Sequence, residues 1–305
     1  MTAALQAPGV ALKAERLIAL RRVALASETA PVLAPLPGGF ATKRKGRGLE
    51  VADIREYVAG DDIRHLDRGA TARTGRLHVR QFQEERDRVT LLVADFRPSM
   101  FWGLRRVFRS VAAAEALSLI GWNVVENAGR VGLLALTPGE PVVVPARGRT
   151  RGMLDVIGGM VDAHETGLTA LVAGQTQDRP LDQALSRADR IAPVGSELVI
   201  ASGFDTPGDG LGDRLDALAR RRTPRLILVT DADASRMPGG RYPVRLADGR
   251  RLRLRVADQT AHTPTDTTEI AGRIALSLDA GDDVERLAQR ISSAFHRDRT
   301  QGQAA

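Results

Sequence analysis

The chain has 305 residues, of which 43% are hydrophobic and 27% charged, with a formal charge of +7 and no cysteine. This composition belongs to a folded protein with a full core, and it excludes disulfides and cysteine-based zinc sites. No run approaches the roughly 18 apolar residues of a membrane-spanning helix, and the first residues lack the basic start and apolar core of a secretory signal, so the expected location is the cytoplasm.

In chain order, residues 11–26 (ALKAERLIALRRVALA) carry apolar residues at helical spacing and predict an amphipathic helix. Two prolines and two glycines in VLAPLPGGF then interrupt regular structure. The block 48–73 is dense in charges of both signs and predicts short strands and turns. Arg55, Glu56, Asp61, Asp62, Arg64, Asp67 and Arg73 are expected to form salt-bridged turns there. Isolated exposed pairs contribute only about 0.2–1 kcal/mol, whereas a network can fix geometry. RLHVRQF (76–82) alternates and predicts a strand.

From Val89 the pattern becomes α/β. VTLLVA predicts a strand covered on both faces, followed by a helix over 104–127. RVGLLAL and PVVVPA predict a hairpin joined through TPGE. Helices are expected near 150–164, 180–192 and 212–221, with strands at 197–202 and 225–230. An Asp-Gly turn between alternating runs predicts a hairpin near 242–257, and the tail from about 267 is expected to be helical. The predicted organisation is an N-terminal helix and charged segment over 1–88, packed on an α/β domain over 89–305.

Nearly all the positive charge is arginine, since lysine occurs only at Lys13, Lys43 and Lys45. The arginines read as scattered over helix faces, and aromatic residues are only 4% of the chain. Few stacking platforms are left for single strands, so nucleic acid is not an expected partner. The sequence contains no phosphate-binding G-x-x-x-x-G-K-[ST], no H-E-x-x-H and no G-x-S-x-G.

Ligands of open α/β sheets gather at the carboxyl ends of strands. Asp95 ends the VTLLVA strand, Ser99 follows in DFRPSM, and Asp205 follows the strand at 197–202. These three residues are expected to converge with Arg97 at one edge of the sheet.

Several segments together resemble the bacterial domain of unknown function 58 family. They are G-R-G-x-E at Gly46–Glu50, R-E-Y-x-x-G-D-D-x-R at Arg55–Arg64, T-A-R at Thr71–Arg73, the Asp95–Met100 loop, and DADASRMPGGRYPVRLADG at Asp231–Gly249. The likeness runs from about residue 12 to residue 258. Where the family has a tryptophan after the aspartate at position 67, this chain has Arg68.

The resemblance implies a doubly wound, mainly parallel sheet of the von Willebrand factor type A kind. It also implies a non-enzymatic protein-binding module whose companion is a MoxR-type AAA+ ATPase, acting on a client protein that the sequence does not name. Sites of that kind bind Mg²⁺ through D-x-S-x-S and residues of two further loops. Asp95, Ser99 and Asp205 match ligand positions, but Arg97 stands where the middle serine belongs. The threonine position falls near Thr176 or at Arg179. Two arrangements are open: Asp95 pairs with Arg97 and the site is degenerate, or Arg97 turns outward and weak Mg²⁺ binding survives. Phe96, Arg97 and Trp102 are the expected interaction residues. The alternative function is a metal-assisted hydrolase or nuclease using Asp95 and Asp205.

Overall fold

The computed structural model describes residues 3–26, 51–58, 61–82, 88–232, 238–245, 251–256 and 266–301. Contacts divide the chain into two units: Met1–Pro37 with Arg88–Ala305, and Gly38–Asp87. The N-terminal helix α1 (Ala14–Ala26) therefore groups with the α/β unit and not with the charged block.

Within the small unit, strand β1 (Val51–Glu56) pairs antiparallel with β2 (His78–Phe82), and a helix α2 (Arg68–Thr74) intervenes. The charges set these turns. Asp67 caps α2 by accepting from the Ala70 N–H at 2.7 Å and takes the Arg80 guanidinium at 2.7 Å. Those backbone and side-chain donors hold its carboxyl below the usual range. Arg55 grips Asp61 with two bonds of 2.7 Å, and Arg76 reaches Glu56 at 2.9 Å. Gly75 closes α2 in the left-handed region (φ 71°), where a side chain would be strained.

In the larger unit, β3 (Val89–Asp95) is buried at every position after its first. It is an inner strand, between β6 and β4, of a seven-stranded sheet with β4 (Arg130–Leu136), β5 (Val142–Gly148), β6 (Glu197–Ser202), β7 (Thr223–Thr230), β10 (Thr267–Ile270) and β11 (Arg273–Asp279), in the order β10-β11-β7-β6-β3-β4-β5. The five inner strands are parallel and each edge strand is antiparallel to its neighbour. Period-two alternation sorts the side chains. Leu92, Ala94, Leu133, Val199 and Val229 enter one core, while Leu91, Val93, Leu134, Ile200 and Leu226 enter the other.

The first core is covered by α1, α3 (Arg109–Glu126), α4 (Arg149–Val172) and α8 (Val284–Gln301). The opposite face carries α5 (Leu181–Ala184), α6 (Ala188–Ile191) and α7 (Leu211–Ala219). Every residue of α3 from Arg109 to Val125 is buried, because α1 and α4 flank it. Trp122 of α3 donates to the Leu17 carbonyl at 3.0 Å, and Arg21 lies 5.5 Å over its ring. The fold is thus α/β with a mostly parallel sheet and helices on both faces, as a doubly wound fold requires. Among the described residues no helix is long and apolar enough to cross a membrane.

Three sequence expectations are corrected. The region from 267 opens with a hairpin, β10 and β11, before the helix begins at Val284. Ala271 (φ 48°) and Gly272 (φ 75°) form its two-residue turn, the backbone pairing that matches strand twist. The helix expected from 104 starts at Arg109: residues 104–106 are bends, and the Phe108 N–H is held by the Gly9 carbonyl at 2.8 Å. The helix expected over 180–192 is broken by a 3₁₀ turn at Leu185–Arg187. The hairpin near 242–257 forms as β8 (Gly240–Arg245) and β9 (Arg251–Val256), a two-stranded sheet of its own. Its Asp248–Gly249 tip lies outside the described residues.

Candidate functional site

Strands β3 and β6 are parallel neighbours, with Ala94 opposite Ala201, so Asp95 and Ser202 emerge side by side at the carboxyl edge. Asp95 is 1% exposed and Arg97 is fully buried. The Arg97 guanidinium lies against the Asp95 carboxylate in a fork, Nε to Oδ1 at 2.9 Å and Nη2 to Oδ2 at 2.7 Å. The Arg97 backbone N–H donates to the same Oδ1 at 3.0 Å, and the Ser202 hydroxyl donates to Oδ2 at 2.6 Å. Such charge-assisted, two-pronged pairing is the strongest that a carboxylate finds in a protein.

The remaining arginine nitrogen ties in two more loops. Nη1 donates to the Arg179 carbonyl at 2.6 Å and to the Thr206 carbonyl at 3.3 Å, and it stands 4.0 Å from Asp178. Asp178 in turn accepts from the Ser99 N–H at 3.0 Å. Burial alone would lower the Arg97 pKa, but Asp95, Asp178 and Asp205 together raise it, so the group stays charged. One cation therefore joins the loops after β3, α4 and β6.

A second arginine repeats the device further out. Arg109, at the start of α3, donates Nε to the Val229 carbonyl at 2.8 Å and grips Asp205 at 2.9 and 3.2 Å. Its guanidinium lies 5.2 Å from the centre of the Trp102 ring. A side chain at Gly203 would overlap this guanidinium, which explains a glycine directly after β6. Asp231, after β7, accepts from the Leu104 N–H at 2.6 Å.

Residues 53–262 match the family described as Protein of unknown function DUF58. The chain belongs to that family. The matched span takes in most of the charged block, the site loops and the β8–β9 hairpin. Relatives include an uncharacterized protein of Mycobacterium bovis and two from strains of Mycobacterium tuberculosis, each 35% identical over 105 residues. That stretch is 33% of this chain and 32% of theirs, so the chain matches about a third of the length of these curated relatives.

The site of this DUF58 chain does not fit a divalent cation. Both oxygens of Asp95 are engaged by Arg97 and both oxygens of Asp205 by Arg109. A cation placed about 4 Å from Arg97 would meet repulsion of about 4 kcal/mol per unit charge at an effective dielectric of 20. Among the described residues, no group of three His, Asp or Glu side chains could hold a metal. Of the expected ligands only Ser99 has a spare oxygen, a buried hydroxyl without a hydrogen-bond partner.

Asp95, Arg97, Ser99 and Asp205 do share the carboxyl edge of the sheet. The interaction residues need correction. Phe96 and Arg97 are fully buried, Phe96 packing edge-on against His164 at 5.4 Å, so neither can anchor a partner. Trp102 is 37% exposed and remains a surface residue. Thr176 is exposed and makes no contribution to the cluster, whereas Arg179 enters it through its carbonyl. Sequence reasoning missed Asp178, Ser202 and Arg109. Ser202 was signalled by its place at the end of the strand beside that of Asp95. Arg109 had no signal among neighbouring arginines.

Proposed function

We propose that this chain is a non-enzymatic protein-binding module, its sheet of the von Willebrand factor type A kind, serving as a cytoplasmic adaptor for a MoxR-type AAA+ ATPase in the maturation or remodelling of other proteins. The observation that carries the reading is the closure of the sheet's carboxyl edge by Arg97. The groups that could act as base or nucleophile there, Asp95, Asp178 and Asp205, are committed to donors. A surface held rigid by internal ion pairs, with its three carboxylates committed, suits recognition rather than bond cleavage. The hydrolase alternative would need Asp95 free to bind a metal or a water.

Trp102 (37% exposed) and Leu104 (50% exposed) stand beside this edge and supply the apolar surface that interface centres favour. Trp102→Ala is expected to weaken capture of the ATPase by on the order of 30-fold, the effect of a strong aromatic anchor. The test is co-purification of the full chain with a AAA+ ATPase, identified by mass spectrometry, alongside incubation with DNA, RNA and phosphoesters in Mg²⁺. Recovery of the ATPase by the wild type and its loss in the variant support the reading. Cleavage by the pure protein that Asp95→Ala abolishes would overturn it.

A further inference from the structure

The β8–β9 hairpin carries a feature that the sheet's carboxyl edge does not explain. Its register pairs Arg241 with Arg255, Pro243 with Arg253, and Arg245 with Arg251. Alternation along a strand puts those six positions on one face, so five of that face's six positions are arginine. Arg241, Arg251, Arg253 and Arg255 are exposed. Several arginines elsewhere find carboxylates, Arg147 with Asp155, Arg187 with Glu140, Arg214 with Asp189 and Arg273 with Asp216, while others such as Arg151 and Arg220 are exposed singly; of the described elements only the ribbon gathers so many on one face. Among the described residues none of the four ribbon arginines has such a partner. Like charges directly opposite one another destabilise a ladder, so this face favours an anion laid against it.

We propose that the arginine face of this ribbon binds the phosphate backbone of a nucleic-acid duplex. The anion must be extended and repetitive. Residues 251 to 255 span about 13 Å, and a duplex presents one negative charge for about every 1.7 Å of its axis. The guanidinium fork suits phosphate oxygens better than a lysine point charge does. A two-stranded ribbon also fits the major groove of B-DNA. A membrane surface would be met through the opposite face, where register puts Tyr242, Val244, Leu252 and Leu254, and vesicle binding separates that case from the duplex. Single strands fit less well, because the face has no aromatic platform. The inference is independent of the adaptor reading and uses none of its residues.

The test is fluorescence anisotropy of a labelled 20-base-pair DNA duplex with the full chain, titrated at several salt concentrations. The comparison is a triple variant, Arg251→Ser, Arg253→Ser and Arg255→Ser. A control triple variant, Arg64→Ser, Arg147→Ser and Arg187→Ser, removes the same net charge from positions elsewhere. All should retain the wild-type unfolding transition, because the replaced side chains are on the surface. The ribbon variant is expected to bind on the order of a hundredfold more weakly at 0.1 M salt. Its log–log salt slope should shrink by about 2.7, or 0.9 for each phosphate no longer neutralised. The control should keep the wild-type slope. Equal weakening in both variants would overturn the proposal by showing diffuse attraction. So would a wild type that ignores the duplex, or one that prefers vesicles of phosphatidylserine.

Discussion

Asp95→Ala is expected to lower the unfolding free energy by about 3–5 kcal/mol, because it leaves the Arg97 cation buried without its anion. The arginine is fully buried and cannot turn to solvent without opening the loops that it joins. The same substitution also strips the Ser202 hydroxyl of its acceptor. The ion pair itself is not a large net source of stability, since desolvating both charges offsets most of their attraction. It follows that Asp95→Leu combined with Arg97→Met should cost clearly less than the sum of the single changes. The recovery should be partial, because the carbonyls of Arg179 and Thr206 would still lose a donor. Urea unfolding of the three variants measures this coupling. Strict additivity would show that the two charges do not act as a pair.

The second large effect is on acid stability and comes from His164. This residue of α4 is 2% exposed, lies edge-on to Phe96 and Phe101, and meets the Ser110 hydroxyl at 3.1 Å. Burial pushes its pKa down from 6.5 to about 4. The unfolded chain therefore takes up a proton at a higher pH than the folded chain does. Its contribution to stability is complete above about pH 6.5 and is lost progressively as pH falls toward 4. Between pH 7 and pH 4.5 the loss from this one group is on the order of 2.5 kcal/mol. His164→Gln should remove that portion of the pH dependence while Asp and Glu residues keep theirs. If wild type and variant lose stability in parallel over this range, the imidazole is not held neutral by its surroundings.

Much of this architecture was legible because its signals are local. The strands at 89–95, 130–136 and 197–202 are continuous apolar runs, and burial on both faces of a parallel sheet leaves no other place for them. The β4–β5 hairpin announced itself through TPGE. The β10–β11 hairpin did not, because its turn is Ala271–Gly272 and lacks the Asn-Gly or Asp-Gly signal. Proximity in sequence groups the helix α1 with the charged block, but Trp122 and Glu126 on a distant helix hold it.

The site was legible in part. An aspartate ending a buried strand located the edge, and Arg97 in place of a hydroxyl raised the question of a pair. What sequence could not supply was the third dimension of that pair. Asp178 comes from a loop 79 residues beyond Ser99, and Arg109 comes from the helix that follows. The arginines of the hairpin look scattered until strand register places them on one face.

Arg97 acts as the cation of the site, and calorimetric titration of the full chain with Mg²⁺ tests this most directly. The wild type is predicted to give no saturable binding at millimolar concentration. Arg97→Ser, which frees the oxygens of Asp95 and Asp178 beside Ser99 and Ser202, should gain it, since Mg²⁺ needs only one or two carboxylates and several waters. Saturable binding in the wild type that Asp95→Asn abolishes, with no gain in Arg97→Ser, would contradict the account.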